Sequence, residues 1–253
     1  MTHTHGRAAL PAATLVLLAF ASLSAQVQGK FPPDSFTNLK VLPKDIDQRT
    51  LLATMRGFTA ALGVRCNYCH VGEEGQPLST FNFASDDKRP KRVARVMLDM
   101  MHHINEEHLA DVPDRPTPPL QVRCETCHRG LPRPRLLQDT LSDVLAAAGV
   151  DSAARTYRAL RERYYGTGSY NFGERVLDEF ARGLTPRQPD QAIGLLQLNA
   201  EFYPNSAMVQ TLIGEAYRQK GDTANALASY RNALALDSTF VPARQRINEL
   251  TRH

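Results

Sequence analysis

The sequence contains no Trp, and aromatic residues make up only 7% of its 253 residues. Its composition is otherwise that of an ordinary soluble protein. The chain also lacks a strong excess of charge of one sign, since its formal net charge is +4. That value gives no support to a nucleic acid as partner, and we predict none.

Long apolar runs are absent except for residues 8–21, which are too few for the roughly 20 residues that span a bilayer. The run follows a short polar stretch containing Arg7 and precedes small residues at 22–25. This order is typical of a secretory signal. We predict a signal peptide over residues 1–25 and a periplasmic or other extracytoplasmic location, with an uncleaved membrane tether as the alternative. No Cys follows the run, so a lipid anchor is not expected.

Cysteine is scarce, and its positions are informative. The chain has four Cys, and all of them lie in two copies of C-x-x-C-H, at Cys66, Cys69 and His70 and at Cys124, Cys127 and His128. This pattern is typical of c-type haem attachment. Two thiols at this spacing form thioether bonds to one haem, and the following His donates a ring nitrogen to the iron. We predict two covalently bound haems, with His70 and His128 as proximal iron ligands.

Three other interpretations of the cysteines are weaker. Two disulfides are not needed by a chain of this length, and a redox-active dithiol does not require the His that follows both pairs. The two halves of a zinc ribbon usually lie about 15–20 residues apart. Here Cys69 and Cys124 are separated by 54 residues.

Methionine on the helix before the first motif is a candidate for the far side of the first iron. The segment Asp45-Ile46-Asp47 can cap a helix with an apolar stripe at spacings of three and four, and Gly63 can end it. Met55 lies on that stripe. A Met thioether suits haem iron, and a bound sixth ligand leaves no place for oxygen or peroxide.

A second helix is predicted to begin near Pro90 and to continue through Arg95 to Glu107. It carries Met97, Met100 and Met101, and the pattern alone does not choose among them. The helix also carries three further candidate ligands, for which solvated surface histidines are the simpler interpretation: His102, His103 and His108.

These features resemble the cytochrome c subunit of photosynthetic reaction centres. The resemblance covers about 40% of the chain and is carried by residues 42–46, Met55, 62–70, 94–100, 104–105 and 124–130. It implies Met55 as the sixth ligand of the first haem and Met97 as that of the second. Family members typically hold four haems, whereas this chain has two motifs. A Pro-rich insertion at residues 112–119 leaves Met101 as the alternative to Met97.

The second half of the chain is different in character. After residues 136–164, which are predicted to form a helical linker, the sequence matches itself at a period of 34, with Ala192 aligned to Ala226 and Phe202 to Leu236. This resembles the tetratricopeptide repeat, and residues 242–250 are predicted to form a closing helix. The repeats are predicted either to bind a protein partner or to serve as a structural appendage.

We therefore predict an all-α protein with a two-haem cytochrome domain at residues 31–135 and tetratricopeptide-like repeats at 165–253. The haems should supply much of the buried apolar surface of the first domain. The predicted function is one-electron transfer between redox donor and acceptor proteins, with a membrane reaction centre or a respiratory complex among them. The alternatives are a two-haem peroxidase-like enzyme and a redox-sensing interaction protein.

Overall fold

The computed structural model of the protein describes Met1 and residues 30–252, so residues 2–25 of the predicted signal peptide lie outside the described residues. The described chain is all-α, as predicted, and it contains no strand beyond an isolated bridge between Val71 and Asn82. The helices are α1 (Gln48–Leu62), α2 (Cys66–Cys69), α3 (Arg89–His103), α4 (Cys124–His128), α5 (Leu137–Tyr164), α6 (Glu174–Leu184), α7 (Pro189–Phe202), α8 (Ala207–Gln219), α9 (Thr223–Leu236) and α10 (Val241–Thr251).

Both ends of α1 are those predicted from the sequence. The Asp47 side chain accepts a hydrogen bond from the Thr50 N–H at 3.0 Å and so caps the first turn. At the other end Gly63 adopts the left-handed conformation, with φ 65° and ψ 35°. The N–H groups of Gly63 and Val64 return to the carbonyls of Ala60 and Thr59, a Schellman ending that turns the chain directly into the first motif.

Helix α3 begins beside Pro90, as predicted, and its regular part ends at His103. Its last predicted turn is a π-helix over Ile104–His108, closed by a hydrogen bond from the Leu109 N–H to the Ile104 carbonyl. The first turn of α3 contains cations and no acidic residue. Cations are unfavourable there because the N-terminal end of a helix carries partial positive charge.

The hydrophobic core lies in the second half of the molecule. Helix α5 is broken at Gly149, and both of its segments bury side chains in the same cluster as α6, α7 and α8. Tyr157 and Leu141 are fully enclosed there. The segment that the sequence suggested as a linker is thus packed along the repeats.

Helices α6 to α10 pack in sequence, each on the next. The pairs α6–α7 and α8–α9 have similar lengths and spacing, which agrees with a repeat of helix pairs, and α10 packs on α9 after them. At the crossing of α8 and α9, a Cβ on Gly214 would lie 2.4 Å from the Tyr230 ring. The small residue therefore allows the two helices to approach. The assignment of these pairs to the tetratricopeptide repeat stays a prediction.

The cytochrome-like half has almost no core of its own. In residues 30–135 the buried hydrophobic side chains are Leu51, Ala61, Leu98 and Leu131, and neither hydrophobic cluster of the molecule extends into this part. In the part of the chain that the structure describes, no helix is both long and apolar enough to cross a membrane.

Candidate haem-binding sites

The first motif forms the short helix α2 immediately after the turn at Gly63. The His70 N–H donates to the Cys66 carbonyl at 2.9 Å, so the His follows directly on the helical turn that carries both Cys residues. Cys66, Cys69 and His70 are all half-buried. Burial raises the pKa of the Cys69 thiol, and the charge of Lys88 partly offsets that effect.

His70 lies in an apolar environment. Its ring packs edge-on against Phe83, with the ring centroids 4.9 Å apart, and Phe83 in turn contacts Phe31 and Phe81. Burial, reinforced by the charge of Lys91, lowers the pKa of His70 to about 4. The imidazole is therefore neutral at physiological pH, which is the form that binds a metal. Its Nδ1 atom is buried and makes no hydrogen bond of normal geometry to any residue that the structure describes.

A cluster of charged side chains lies beside this site. Lys91 contacts the carbonyl oxygens of Phe83 at 2.8 Å, Ala84 at 3.0 Å and Ser85 at 2.7 Å, and it pairs with Asp86 at 3.1 Å. Arg95 and Lys40 also bind Asp86. The Arg95 guanidinium, with Lys40, holds the pKa of the Asp86 carboxyl far below its usual range.

Sequence reasoning missed this cluster. The signal was present, since residues 88–95 contain five cations and no acidic residue. A run of cations is ordinarily a solvated helix face. Only the fold shows that Lys91 binds the carbonyl oxygens of residues 83–85 and therefore lies beside the first motif.

The second motif forms α4, and its His is held differently. The Arg123 N–H donates to the Thr126 hydroxyl at 3.0 Å at the start of the helix. At its end, His128 Nδ1 donates to the Leu131 carbonyl at 2.8 Å, and the Leu131 N–H returns to the His128 carbonyl at 2.8 Å. Such a bond fixes the proton on Nδ1 and leaves Nε2 free to bind a metal.

Each motif packs on the helix that precedes the other motif in the sequence, α1 or α3. Helix α4 packs against the C-terminal end of α1, where the Gly130 N–H donates to the Ala61 carbonyl at 2.8 Å. Helix α2 packs against α3, and Lys88 of the segment entering α3 donates to the Asn67 carbonyl. Each motif therefore follows one helix in sequence and contacts the other in space.

The turn after α5 also contacts the second motif. The Ser169 hydroxyl, in the turn after α5, donates to the Arg129 carbonyl at 2.6 Å. Arg129 has a left-handed backbone with φ 49°, which is uncommon for a side chain of this size. The contact with Ser169 stabilises the chain just after His128.

The methionines predicted as sixth ligands lie on the helices named above. Met55 is half-buried on α1, and Met101 is half-buried on α3. Met97 is 36% exposed and Met100 is 46% exposed, beside Val96 at 63%. The assignment of Met55 and Met97, with Met101 as the alternative, stays a prediction.

The other histidines of this region are on the surface. His102, His103 and His108 are exposed. His103 Nδ1 lies 2.7 Å from Glu107, and this hydrogen bond raises the pKa of His103. A solvated side chain paired with a carboxylate is a simpler role for His103 than iron binding.

No two of the four cysteines are bonded to each other, so neither motif forms a disulfide. Within the described residues, no group of three or more His, Cys, Asp or Glu side chains is placed to hold a metal ion. The two Cys pairs are thus not brought together as the halves of a zinc ribbon.

The residues present fit the predicted haems. A region of about 100 residues ordinarily buries a continuous apolar core, yet residues 30–135 bury only the four hydrophobic side chains named above. Large apolar side chains instead remain exposed on the first motif, at Tyr68, and on α3, at Val96, Met97 and Met100. A large apolar group bound at each motif would cover such surface and contact the His at the end of the motif.

Comparison with known proteins was informative for the first part of the chain. The sequence profile of the photosynthetic reaction centre cytochrome C subunit matches residues 12–164, and so ends with α5 and does not reach α6–α10. The photosynthetic reaction center cytochrome c subunit of Thermochromatium tepidum is 32% identical over 114 residues, which are 44% of this chain and 25% of that protein. Cytochrome c-554 of Chloroflexus aurantiacus is 36% identical over 74 residues, 29% of this chain and 16% of the relative. The chain thus spans a quarter or less of either relative.

Replacing Gly63 tests the contact between α1 and the second motif. A Cβ on Gly63 would lie 2.3 Å from the Gly130 carbonyl oxygen. We expect Gly63→Ala to lower the free energy of unfolding by about 1–2 kcal/mol for its left-handed backbone and by about 1–3 kcal/mol more for the overlap. Urea unfolding of the mature protein, followed by haem absorption, measures both effects together.

Gly75→Ala is the matched control for this substitution. Gly75 also has a left-handed backbone, with φ +83°, but a Cβ there would meet nothing within 4 Å. The control should lose only the backbone contribution. Equal losses in the two variants would contradict a structural role for the Gly63–Gly130 approach.

Most of the buried hydrophobic side chains lie after residue 136, so the two parts of the chain should differ in stability when haem is absent. In protein made in the cytoplasm without haem, amides of residues 31–135 should exchange with solvent rapidly, while amides of α5–α9 stay protected, because only the second part buries its own apolar core. Hydrogen exchange with mass spectrometry resolves the two parts. Equal protection of α1 and α8 in the haem-free chain would refute this dependence on haem.

Proposed function

Because the chain belongs to the photosynthetic reaction centre cytochrome c subunit family, we propose that it is an exported c-type cytochrome that binds two haems and transfers single electrons. Membership of this family implies covalently bound haem. The observation that carries the proposal is the pair of C-x-x-C-H motifs, each formed as a short helical turn with a half-buried His at its end. The number of haems follows from the number of motifs.

The residues that hold the haems divide into two sets. The thioether bonds are assigned to Cys66 and Cys69 and to Cys124 and Cys127, with His70 and His128 as the proximal iron ligands. Bound haem supplies one-electron chemistry, because its iron is stable in the ferric and the ferrous state. The protein keeps His70 neutral by burial and orients His128 through the Leu131 carbonyl.

The far side of each iron is assigned to methionine. Met55 is proposed for the first haem and Met97 for the second, with Met101 as the alternative on the same helix. A thioether on each iron would exclude small ligands, which favours electron transfer over peroxide chemistry.

The partners of this protein are proposed to be redox proteins outside the cytoplasm. The T. tepidum relative is named as a subunit of a photosynthetic reaction centre, and a membrane reaction centre is one candidate acceptor of electrons. A respiratory complex is the other. The predicted signal peptide supports export.

The repeat region is proposed to bind a protein partner. Helices α6–α10 pack each on the next and, together with α5, bury two apolar clusters that meet at Tyr217, and stacked helix pairs commonly present an extended surface to other proteins. The contact of Ser169 with Arg129 would hold such a partner close to the second haem.

Mass and optical spectra of protein matured in a periplasm with haem-attachment machinery test the proposal. We expect the mass of two haems per chain and a ferrous spectrum that carbon monoxide does not change. Fewer than two haems would contradict the assignment of the motifs. A carbon monoxide shift in part of the haem would mean an open iron, and the peroxidase-like or redox-sensing alternative would replace electron transfer.

Substitution of the methionines tests the sixth ligands. Met55→Ala and Met97→Ala should each open one iron, so that carbon monoxide shifts about half of the ferrous spectrum and the ferric Met–iron band falls by half. Met100→Ala is the control on the same helix as Met97 and should leave the spectrum unchanged. If Met101→Ala opens the second iron and Met97→Ala does not, the alternative assignment is correct.

A further inference from the structure

The two motifs differ in the hydrogen bond made by the histidine. His128 Nδ1 donates to the Leu131 carbonyl at 2.8 Å. His70 Nδ1 is buried and, among the described residues, makes no hydrogen bond of normal geometry, since the nearby Phe83 carbonyl is bonded to Lys91 at 2.8 Å. A hydrogen bond from Nδ1 to a carbonyl makes the other ring nitrogen more basic and a stronger donor to a metal. A more basic ligand favours the ferric state, so this difference favours reduction at the first site.

The two motifs also differ in the charge that lies beside them. The Lys91 side chain is only 12% exposed and Arg95 only 17% exposed. Lys91 contacts the carbonyl of Phe83, the residue whose ring packs against His70. Its charge is therefore held next to the first site and is poorly screened by water or salt.

Asp86 neutralises only part of this charge. Its carboxylate is shared by Lys40, Lys91 and Arg95, so one negative charge faces three positive ones. Lys88 adds a further cation at the Asn67 carbonyl within the first motif. The first site therefore lies in a net positive environment.

These cations occupy an unfavourable position in their own helix. Arg89, Lys91 and Arg92 lie in or beside the first turn of α3, where the helix dipole disfavours positive charge. Positive charges at the N-terminal end of a helix lower its stability, and such locally unfavourable residues are expected at functional positions. At the second motif the flanking charges Arg123, Glu125 and Arg129 are all exposed, and solvent screens them.

From these differences we propose that the chain makes its two haem sites unequal, with the site at residues 66–70 holding an electron more strongly than the site at residues 124–128. This inference rests on the proposed function. An electron entering at either site then comes to rest on the first, with the second oxidised as the first is reduced and no bond or proton exchanged. Lys91 is the main residue that sets the difference, because a fixed positive charge stabilises the iron state with one charge fewer.

A redox titration of the mature protein, followed optically, measures both sites. Haem content is first measured by mass. Two one-electron components are expected, and Lys91→Gln, which removes the charge and keeps most of the side chain, should make reduction of the higher-potential component about tenfold less favourable, or about 59 mV. The lower-potential component should not move.

Three further variants separate charge from packing. Lys91→Arg retains the charge and should restore the higher potential. Lys40→Gln removes an exposed partner of the same carboxylate and should change the equilibrium constant less than about threefold. Asp86→Asn removes the negative charge and should move the higher-potential component upward, opposite in sign to Lys91→Gln. A loss of packing would move both variants in one direction.

The outcomes are distinct. Fewer than two haems per chain would overturn the proposed function and this inference together. Two haems that titrate at a single potential would overturn the inference alone, as would a Lys91→Gln shift confined to the lower-potential component. Shifts of the same sign in Lys91→Gln and Asp86→Asn would overturn the electrostatic role of the cluster.

Discussion

The approach of two backbones at Gly63 and Gly130 is the contact on which the cytochrome region depends. The Gly130 N–H is bonded to the Ala61 carbonyl, and the absence of a Cβ at Gly63 lets the Gly130 carbonyl approach. The C-terminal end of α1 therefore has two connections. It continues through the Gly63 turn into the first motif, and it is hydrogen-bonded to the loop that follows the second motif. Since α3 lies on the first motif, neither motif can be moved without disturbing the helix that belongs to the other.

This crossed arrangement suits a region with few buried side chains. Four buried hydrophobic residues do not by themselves hold two long helices in place. The backbone bond between Gly130 and Ala61, the ion pairs around Asp86 and the Asn105 amide, which bonds to Val122 in both directions, supply polar connections between the segments. The apolar part of the stabilisation is left to the haems that the two motifs are proposed to hold.

The second half of the chain has the opposite character. Its helices bury two apolar clusters that meet at Tyr217. Arg161 lies among aromatic rings, 4.2 Å from the centroid of Tyr165 and 4.5 Å from that of Phe202. The loop after α5 touches the chain just beyond His128 through Ser169. The helices of the second half, which bury most of the apolar core, thus contact the second motif, while the first motif lies beside a half-buried cluster of charged side chains.

The sequence by itself determined the features that depend on near neighbours. The spacing of Cys66, Cys69 and His70 encodes the attachment chemistry, Asp47 and Gly63 encode the ends of α1, and a period of 34 marks the helix pairs of the second half. All of these follow from local backbone geometry or covalent spacing.

Only the tertiary structure decided which helix lies on which motif, that His128 donates a hydrogen bond from Nδ1 to a nearby carbonyl, and that Lys91 is half-buried and bonded to the Phe83 carbonyl. These contacts join residues far apart in the chain or separated by an irregular loop. No periodic pattern encodes them, because they arise from the packing of all segments together.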